Sequence, residues 1–419
     1  MYQILRLIFA VILTVSGAIS VRSETPLVIM VGIDGLRADA IDRVDAPNLR
    51  ALAARGVRSK GMIPAMPTKT FVNFYSLATG LHPEHHGFVS NYPYDRKLGE
   101  SFSREKHSQD PTWWGGEPIW ITAEKQGVKA GTYFWVGSEV PIDGIRPTYW
   151  KPFDWSKDYG ERITEVLGWL GRPVMERPGL VTLYFSAVDT AVHNFGVGSN
   201  EERDAILKVD SHLGDLLAGL KKQGLYDRAN IIVVSDHGMA NLADDRLINI
   251  DKIVNLDKLT IPDWHKERGP NYSPFLNLYG EATEIARVHS LLQGAHPKMQ
   301  VFKRGHFPKR YHFNHPDRAP DLMALAETGW ILYASENAAT PLPVKTVPWS
   351  SATHGFDNQH IKMHATFLAA GPQFKQGVSV GHFDNVEVYG LLACALGIKP
   401  TKTDGNLKNV AHFLASPCP

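Results

Sequence analysis

Three apolar runs, each followed directly by an acidic residue, constrain this chain more than any other feature. Residues 27–33 lead into Asp34, 180–188 into Asp189, and 230–235 into Asp236. The runs are rich in β-branched side chains and hardly alternate between apolar and polar positions. That is the pattern of parallel strands covered on both faces. Open α/β sheets carry their functional groups just beyond the carboxyl ends of such strands. Acidic residues scattered at random would not fall there three times. The expected fold class is α/β, with a central, mostly parallel sheet flanked by helices.

Helical signals separate the strands. Ala46-Pro47-Asn48 leads into a segment that runs to about Arg55 and stops at Gly56. Residues 201–223 place Ile206, Val209, Leu213, Leu216, Leu217 and Leu220 on one face of a long helix that closes at Gly224. Residues 385–396 read as another helix, closed by Gly397. From about 242 to 350 the texture changes to Pro, Lys, Arg and His, with short strand-like pieces at 274–279 and 330–333. This stretch is expected to be an insertion or cap on one catalytic domain spanning 24–419.

The N-terminus has Arg6, an apolar run over 7–18 and the small-residue site Ala18-Ile19-Ser20. It reads as a secretory signal over residues 1–23, which gives a periplasmic or secreted product. The run is shorter than the roughly 20 apolar residues of a membrane span, so none is expected after cleavage. Only Cys394 and Cys418 are present; an export signal permits a bridge between them, and the favoured expectation is a buried free Cys394 and a loose Cys418. A formal net charge of +1 supplies no electrostatic footprint for DNA or RNA, so dedicated nucleic-acid binding is not expected. The oligomeric state has no signal in the sequence.

Six residues have the chemistry of metal ligands: Asp34 in VGIDGLR, Asp189 and His193 in SAVDTAVHNFG, Asp236 and His237 in VVSDHGM, and His354 in SSATHGFDN. Asp189 and His193 are four apart and share a face if the chain turns helical there. With His354 they make an Asp-His-His set; Asp34, Asp236 and His237 make an Asp-Asp-His set. Spacing alone leaves open which carboxylate serves which metal. Mixed imidazole and carboxylate donors suit two Zn²⁺ ions, with Mn²⁺ or Fe²⁺ as substitutes. Thr70 opens a helical segment, 70–79, that Gly80 stops. Such a threonine is ordinarily an N-cap. Here the positive helix end also suits an anionic phosphate, and a metal would turn the hydroxyl into a nucleophile. His82, His85, His86, His312, His315, His360 and His364 lack partner carboxylates of this quality and are read as non-ligands. No Gly-rich phosphate loop, G-x-S-x-G elbow or CxxC pair occurs.

The string PTKTFVNFYSLATGLHPEHHGFVSN resembles the nucleophile segment of the nucleotide pyrophosphatase/phosphodiesterases, within the alkaline phosphatase superfamily. The resemblance continues through GEPIWITAEKQG, GTYFWVGSE, DTAVHNFG, SDHGM and THGFDN. It implies an alkaline-phosphatase-like core with Thr70 as nucleophile and metal ligand. It assigns Asp189, His193 and His354 to one zinc, and Asp34, Asp236 and His237 to the other. It also implies that Asn91 donates its amide to a phosphate oxygen, and that Phe71 with an aromatic of the 149–153 stretch, Tyr149 or Phe153, holds a flat group. Val72 stands where the family usually has proline, and Phe74 where it has histidine; neither is a ligand.

The expectation that follows is a di-zinc hydrolase acting on a small phosphodiester or nucleotide. It would cleave nucleoside 5′-phosphodiester and pyrophosphate bonds of NTPs or dinucleotides through a covalent threonine. Two alternatives stay open from the sequence: a phosphomonoesterase or lipid/choline phosphodiesterase with the same metals, and a secreted phosphoester-binding protein without catalysis.

Overall fold

The computed structural model of the protein describes residues 26–262, 271–334 and 351–418. The expected leader, 1–23, lies outside them, as do residues 263–270 and 335–350 of the expected insertion. One eight-stranded sheet forms the centre. Its strands are β1 (Leu27–Ile33), β2 (Val57–Ile63), β3 (Ala130–Tyr133), β4 (Tyr149–Trp150), β5 (Leu180–Phe185), β6 (Ala229–Val234), β7 (Phe367–Ala370) and β8 (Val378–Asp384), in the spatial order β8-β2-β7-β6-β1-β5-β3-β4. All run the same way except β7, which is antiparallel to both β2 and β6. In β1 every residue is buried, as the unalternating sequence requires.

Alternate residues of β1 feed two different cores. Val28 and Met30 point to one face, where Phe74 and Leu77 of α2 (Thr70–Thr79) pack with Val388 and Leu392. Ile29 and Val31 point to the other, against Leu49 and Leu52 of α1 (Pro47–Arg55), Ile163 and Val166 of α3 (Tyr159–Leu170), and Ile206, Val209 and Leu213. The last three belong to α5 (Asn200–Lys222), preceded by α4 (Ala187–Phe195). Each fully buried Val, Leu or Ile contributes about 1.5–3 kcal/mol relative to an exposed one, so both faces hold the sheet firmly.

Three expectations need correction. The second apolar run is not one strand to residue 188. β5 ends at Phe185, and Val188 and Val192 bury one face of α4 at helical spacing, so Asp189 sits in the first turn of that helix. The stretch 385–396 opens as a 3₁₀ turn, Asn385–Glu387, before α6 (Val388–Leu396). Cys394 and Cys418 are not free: they form a disulfide, with Cα atoms 5.1 Å apart, that ties the C-terminal tail to α6. Their separation of 24 residues hid the pairing, because nothing local shows the tail folding back.

The insertion leaves the core through a narrow neck in which Ala240–Asn241 pairs antiparallel with Ala352–Thr353. Beyond it, Leu247–Asn249, Ile331–Ala334 and Asn271–Ser273 form one three-stranded sheet. Phe275–Leu278, Leu322–Ala326 and Met299–Lys303 form a second. One face of the second sheet is covered by the helix Ala282–Leu292, through Val288 and Leu292. Its other face, with Phe275, Met323 and Leu325, packs on Met66 and Val89 of the core.

Candidate functional site

Sheet register brings the acidic residues together. Ile33 of β1 is level with Phe185 of β5, and Gly32 is level with Val234 of β6, so all three strands finish in one place. Asp34 follows β1 directly, Asp236 lies two residues past β6, and Asp189 and His193 face the same point from α4. His354 returns from the insertion just past the neck. Two groups result, Asp34/Asp236/His237 and Asp189/His193/His354, and within each the candidate ligand atoms lie within 4.8 Å of one another. Among the described residues no other such trio occurs. The groups abut: the His237 and His354 rings stack at 3.5 Å.

Hydrogen bonding fixes which atoms face inward. The Nδ1 of His193, His237 and His354 each lies against a backbone carbonyl, of Ala352 (2.9 Å), Gly238 (3.1 Å) and Thr68 (2.7 Å). A carbonyl only accepts, so each Nδ1 carries the proton and each Nε2 presents a lone pair. Asp34 Oδ2 accepts from the Tyr184 hydroxyl at 2.6 Å, and Asp236 Oδ1 accepts from the Gly35 N–H at 3.1 Å. Asp34 Oδ1, Asp236 Oδ2 and Asp189 Oδ1 are buried without a hydrogen-bond partner. Asp236 Oδ2 lies 2.9 Å from His237 Nε2, and Asp189 Oδ1 lies 3.4 Å from His193 Nε2 and 3.7 Å from His354 Nε2.

Acceptors facing acceptors at these distances repel unless a cation lies between them. Burial, reinforced by Asp236 and Asp189, pushes the Asp34 carboxyl well above its ordinary range. Burial likewise pushes Asp236 up to about 8 and lowers His237 and His354. The residues therefore fit a pair of divalent metals: three carboxylate oxygens and three imidazole nitrogens, pre-oriented, buried, and short of positive charge.

Gly35 is essential to this packing. It has φ +69, and a Cβ there would stand 2.9 Å from the Asp189 Cα. Glycine lets the turn after β1 and the start of α4 touch.

Thr70 is the first residue of α2, and Lys69 occupies the N-cap position. The threonine is thus not the cap its type suggests; its hydroxyl lies 3.4 Å from His237 Nε2, beside the Asp-Asp-His set. The helix it opens ends at Gly80, φ +65. Asn91 Oδ1 accepts the Phe71 N–H at 2.9 Å, which turns the Asn91 amide N–H groups toward the cleft. That cleft, about 430 Å³, runs from Asp34, Thr70 and Asp189 past Phe71, Trp114, Phe134, Phe153, Trp155 and Tyr184. This is the size and apolar character of a small-molecule site. Phe153 is in the wall, 4.8 Å from the Trp155 ring and 6.1 Å from Tyr184. Tyr149 is not among the lining residues. It stacks on Trp169, and its hydroxyl donates to the Glu176 carbonyl, because it lies on the edge strand β4.

The histidines read as non-ligands join neither group. His86 bonds Ser76 at 2.9 Å, His82 stacks on His312, and His85 contacts Asp404. Sequence reasoning missed Tyr184, Gly35 and most of the cleft wall. For Tyr184 a signal existed: a tyrosine in a buried strand needs a partner for its hydroxyl, and this one lies near the carboxyl end of β5.

The family model for type I phosphodiesterase / nucleotide pyrophosphatase matches residues 28–357. The chain belongs to this family. It is 35% identical over 397 residues to venom phosphodiesterase CdcPDE of Crotalus durissus collilineatus, which covers 94% of this chain and 47% of that protein. To human ectonucleotide pyrophosphatase/phosphodiesterase family member 1 it is 35% identical over 401 residues, 94% of this chain and 42% of the relative. The chain thus spans less than half the length of these curated relatives. Murine ectonucleotide pyrophosphatase / phosphodiesterase 5 superposes with a TM-score of 0.84 at 30% identity, covering 93% of this chain and 100% of that one. An inactive variant of that murine protein, in complex with AMP, matches with the same TM-score and identity over 94% of this chain. The alkaline-phosphatase-like α/β core fits this membership. No helix among the described residues is long and apolar enough to cross a membrane.

Proposed function

We propose that the protein hydrolyses nucleoside 5′-phosphodiester and pyrophosphate bonds, of NTPs and dinucleotides, and releases nucleoside 5′-monophosphates. The observation that carries this reading is the Thr70 hydroxyl beside the Asp34/Asp236/His237 set, at the inner end of an aromatic cleft. Two divalent cations, zinc by donor type with Mn²⁺ or Fe²⁺ as substitutes, would be held by the two ligand sets and would supply Lewis-acid activation and charge neutralisation.

Within that frame the chain's own groups have distinct tasks. Thr70 Oγ1 attacks phosphorus as the alkoxide or phosphate opposite it departs, leaving the nucleotide esterified to Thr70. Water then breaks the new ester and restores the hydroxyl. The Asn91 amide, held by the Phe71 N–H, and the Thr70 N–H donate to the non-bridging phosphate oxygens as charge grows on them. Phe71 and Phe153 hold the flat part of the retained group. The AMP bound by the murine relative is of the product class, and a threonine-to-alanine variant of that relative is inactive.

The whole of 24–419 is read as one catalytic domain with its insertion at about 242–350, exported to the periplasm or beyond. Thr70→Ala is expected to abolish turnover of p-nitrophenyl thymidine 5′-monophosphate while keeping the metal content. Full activity in that variant would remove Thr70 as nucleophile. Faster wild-type hydrolysis of p-nitrophenyl phosphate, or of choline esters, than of the nucleotide ester would replace the substrate class. Zinc-loaded protein that bound these esters and turned over none would leave a phosphoester-binding protein.

A further inference from the structure

The outer wall of the cleft depends on a residue that belongs neither to the cleft lining nor to the ligand sets. Arg162, in the first turn of α3, is 1% exposed. Among the described residues no carboxylate lies within ion-pair distance of it. Burying a cation without an anion is costly, and a methionine of similar length would fill the same space without that cost. The guanidinium is therefore there for its donors. Nη1 donates to the Tyr184 carbonyl at 2.7 Å, while Nε and Nη2 both donate to the Lys157 carbonyl at 3.2 and 3.0 Å. Its Cζ lies 5.0 Å from the ring centre of Phe134 and 4.8 Å from that of Tyr159.

Each end of this brace leads to the site. Lys157 closes the loop 151–157, which carries Phe153 and Trp155 into the cleft wall. That loop is otherwise tied to the cleft by the Phe153 N–H, which donates to Glu139 Oε1 at 2.9 Å, and by ring contacts of Phe153 with Phe134 and Tyr184, while Trp155 is 59% exposed. At the other end, pairing of β3 with β5 stops at Tyr133 and Leu183, and Arg162 takes up the next carbonyl of β5, that of Tyr184. Tyr184 is both a wall of the cleft and the hydroxyl donor to Asp34. The neighbouring Tyr159 hydroxyl accepts the Ser186 N–H at 3.0 Å, at the start of the helix that bears Asp189 and His193.

We propose that Arg162 is a positioning residue for the nucleoside-bearing part of the substrate: it sets the separation between the Phe153–Trp155 wall and the Tyr184–Asp34 pair. The proposal rests on the phosphodiesterase reading above. A planar fork of donors is needed because two carbonyls on different segments are held at once, beside the rings of Phe134 and Tyr159. Lysine keeps the charge but cannot span both carbonyls.

The test compares wild type, Arg162→Lys, Trp155→Ala and the double variant on two diesters, p-nitrophenyl thymidine 5′-monophosphate and bis(p-nitrophenyl) phosphate, which lacks a nucleoside. Metal content and amide hydrogen exchange are measured on the same samples. Arg162→Lys is expected to raise KM for the nucleotide ester about tenfold, with kcat and the efficiency on the small ester within about threefold, as for a misplaced binding wall. Exchange should quicken in 151–158, and metal content should hold. If Arg162 acts through the loop, its KM effect should largely vanish in the Trp155→Ala background. Equal losses on both esters, or unchanged exchange in 151–158, would overturn the proposal. If Arg162→Lys does not fold, the decision passes to Trp155→Ala, whose KM for the nucleotide ester must rise for the wall to matter. A wild-type enzyme without preference for the nucleotide ester would instead overturn the nucleotide-substrate reading, and the exchange result would still accept or reject Arg162 as the residue that holds the loop.

Discussion

Tyr184→Phe removes one oxygen from the site and leaves the ring that lines the cleft. The lost hydroxyl donates to Asp34 Oδ2 at 2.6 Å in a buried setting. A hydrogen bond to a charged group contributes about 1.5–3 kcal/mol net. Its loss also frees Asp34 to rotate away from the orientation in which Oδ1 faces His237. At 1.4 kcal/mol per tenfold, this predicts a cation at the Asp34/Asp236/His237 set bound about 10- to 100-fold more weakly, the usual range for a lost outer-shell partner. The Tyr184 hydroxyl bonds Asp34 and not the Asp189/His193/His354 set, so the cation of that set should be held as before. Competition of metal-free protein with a chromophoric chelator resolves the two affinities. One weakened step and one unchanged step is the expected titration. Two unchanged steps would mean that the Tyr184 bond does not orient a ligand. Two steps weakened equally would mean that the sets are not divided as described.

Gly35→Ala should be harsher. The left-handed turn costs an alanine about 1–2 kcal/mol, and its Cβ would drive Asp189 away; loss of metal from the Asp189 set, read by metal analysis, is expected, and full retention would contradict the packing. Breaking the Cys394–Cys418 bridge by Cys394→Ser should lower stability by ~3.5 kcal/mol, from the loop-entropy relation for a separation of 24 residues, as measured by urea unfolding. A variant unaltered in stability, with or without reductant, would show that the bridge constrains nothing. Arg318 donates to Asp95 at 2.8 Å inside the protein. Burial alone would raise the Asp95 carboxyl, but Arg318 and the Leu98 and Lys97 N–H groups hold it below the usual range. A lowered folded pKa gives stability that is complete above the unfolded value of about 3.9 and is lost as pH falls through the folded one. Asp95→Asn should therefore cost ~3 kcal/mol at neutral pH, with the deficit shrinking below about pH 4; a constant deficit across pH would refute the assignment.

The sequence revealed more of the candidate ligand sets than of the cleft, for a physical reason. Asp34, Asp236 and the Asp189–His193 pair mark themselves by position after apolar strands or by helical spacing, both of which are local. His354 was legible only through its motif, since its approach depends on the return from the insertion. The wall is different. Phe134, Trp135 and Trp155 are ordinary core types, and only the register of β3 beside β5 and the loop after β4 turns them toward one space. Tyr149 shows the converse error: it lies close in sequence to Phe153, but edge pairing with β3 sends its ring to Trp169. The strand boundary after Phe185 was misplaced because Val188 continues the apolar run in composition while already serving a helix face. The disulfide had no local signature at all.

The neck at Ala240–Asn241 and Ala352–Thr353 has an evolutionary corollary. His237 stands just before it and His354 just after it, so the paired strands hold both candidate ligands at fixed spacing whatever the intervening chain does. Where a change in the length of that excursion leaves the packing of Phe275, Met323 and Leu325 on Met66 and Val89 in place, it adds only loop-closure entropy, which grows slowly, about 0.6 kcal/mol per doubling. The insertion is thus a place where this protein can gain, lose or exchange sequence without disturbing the two candidate ligand sets.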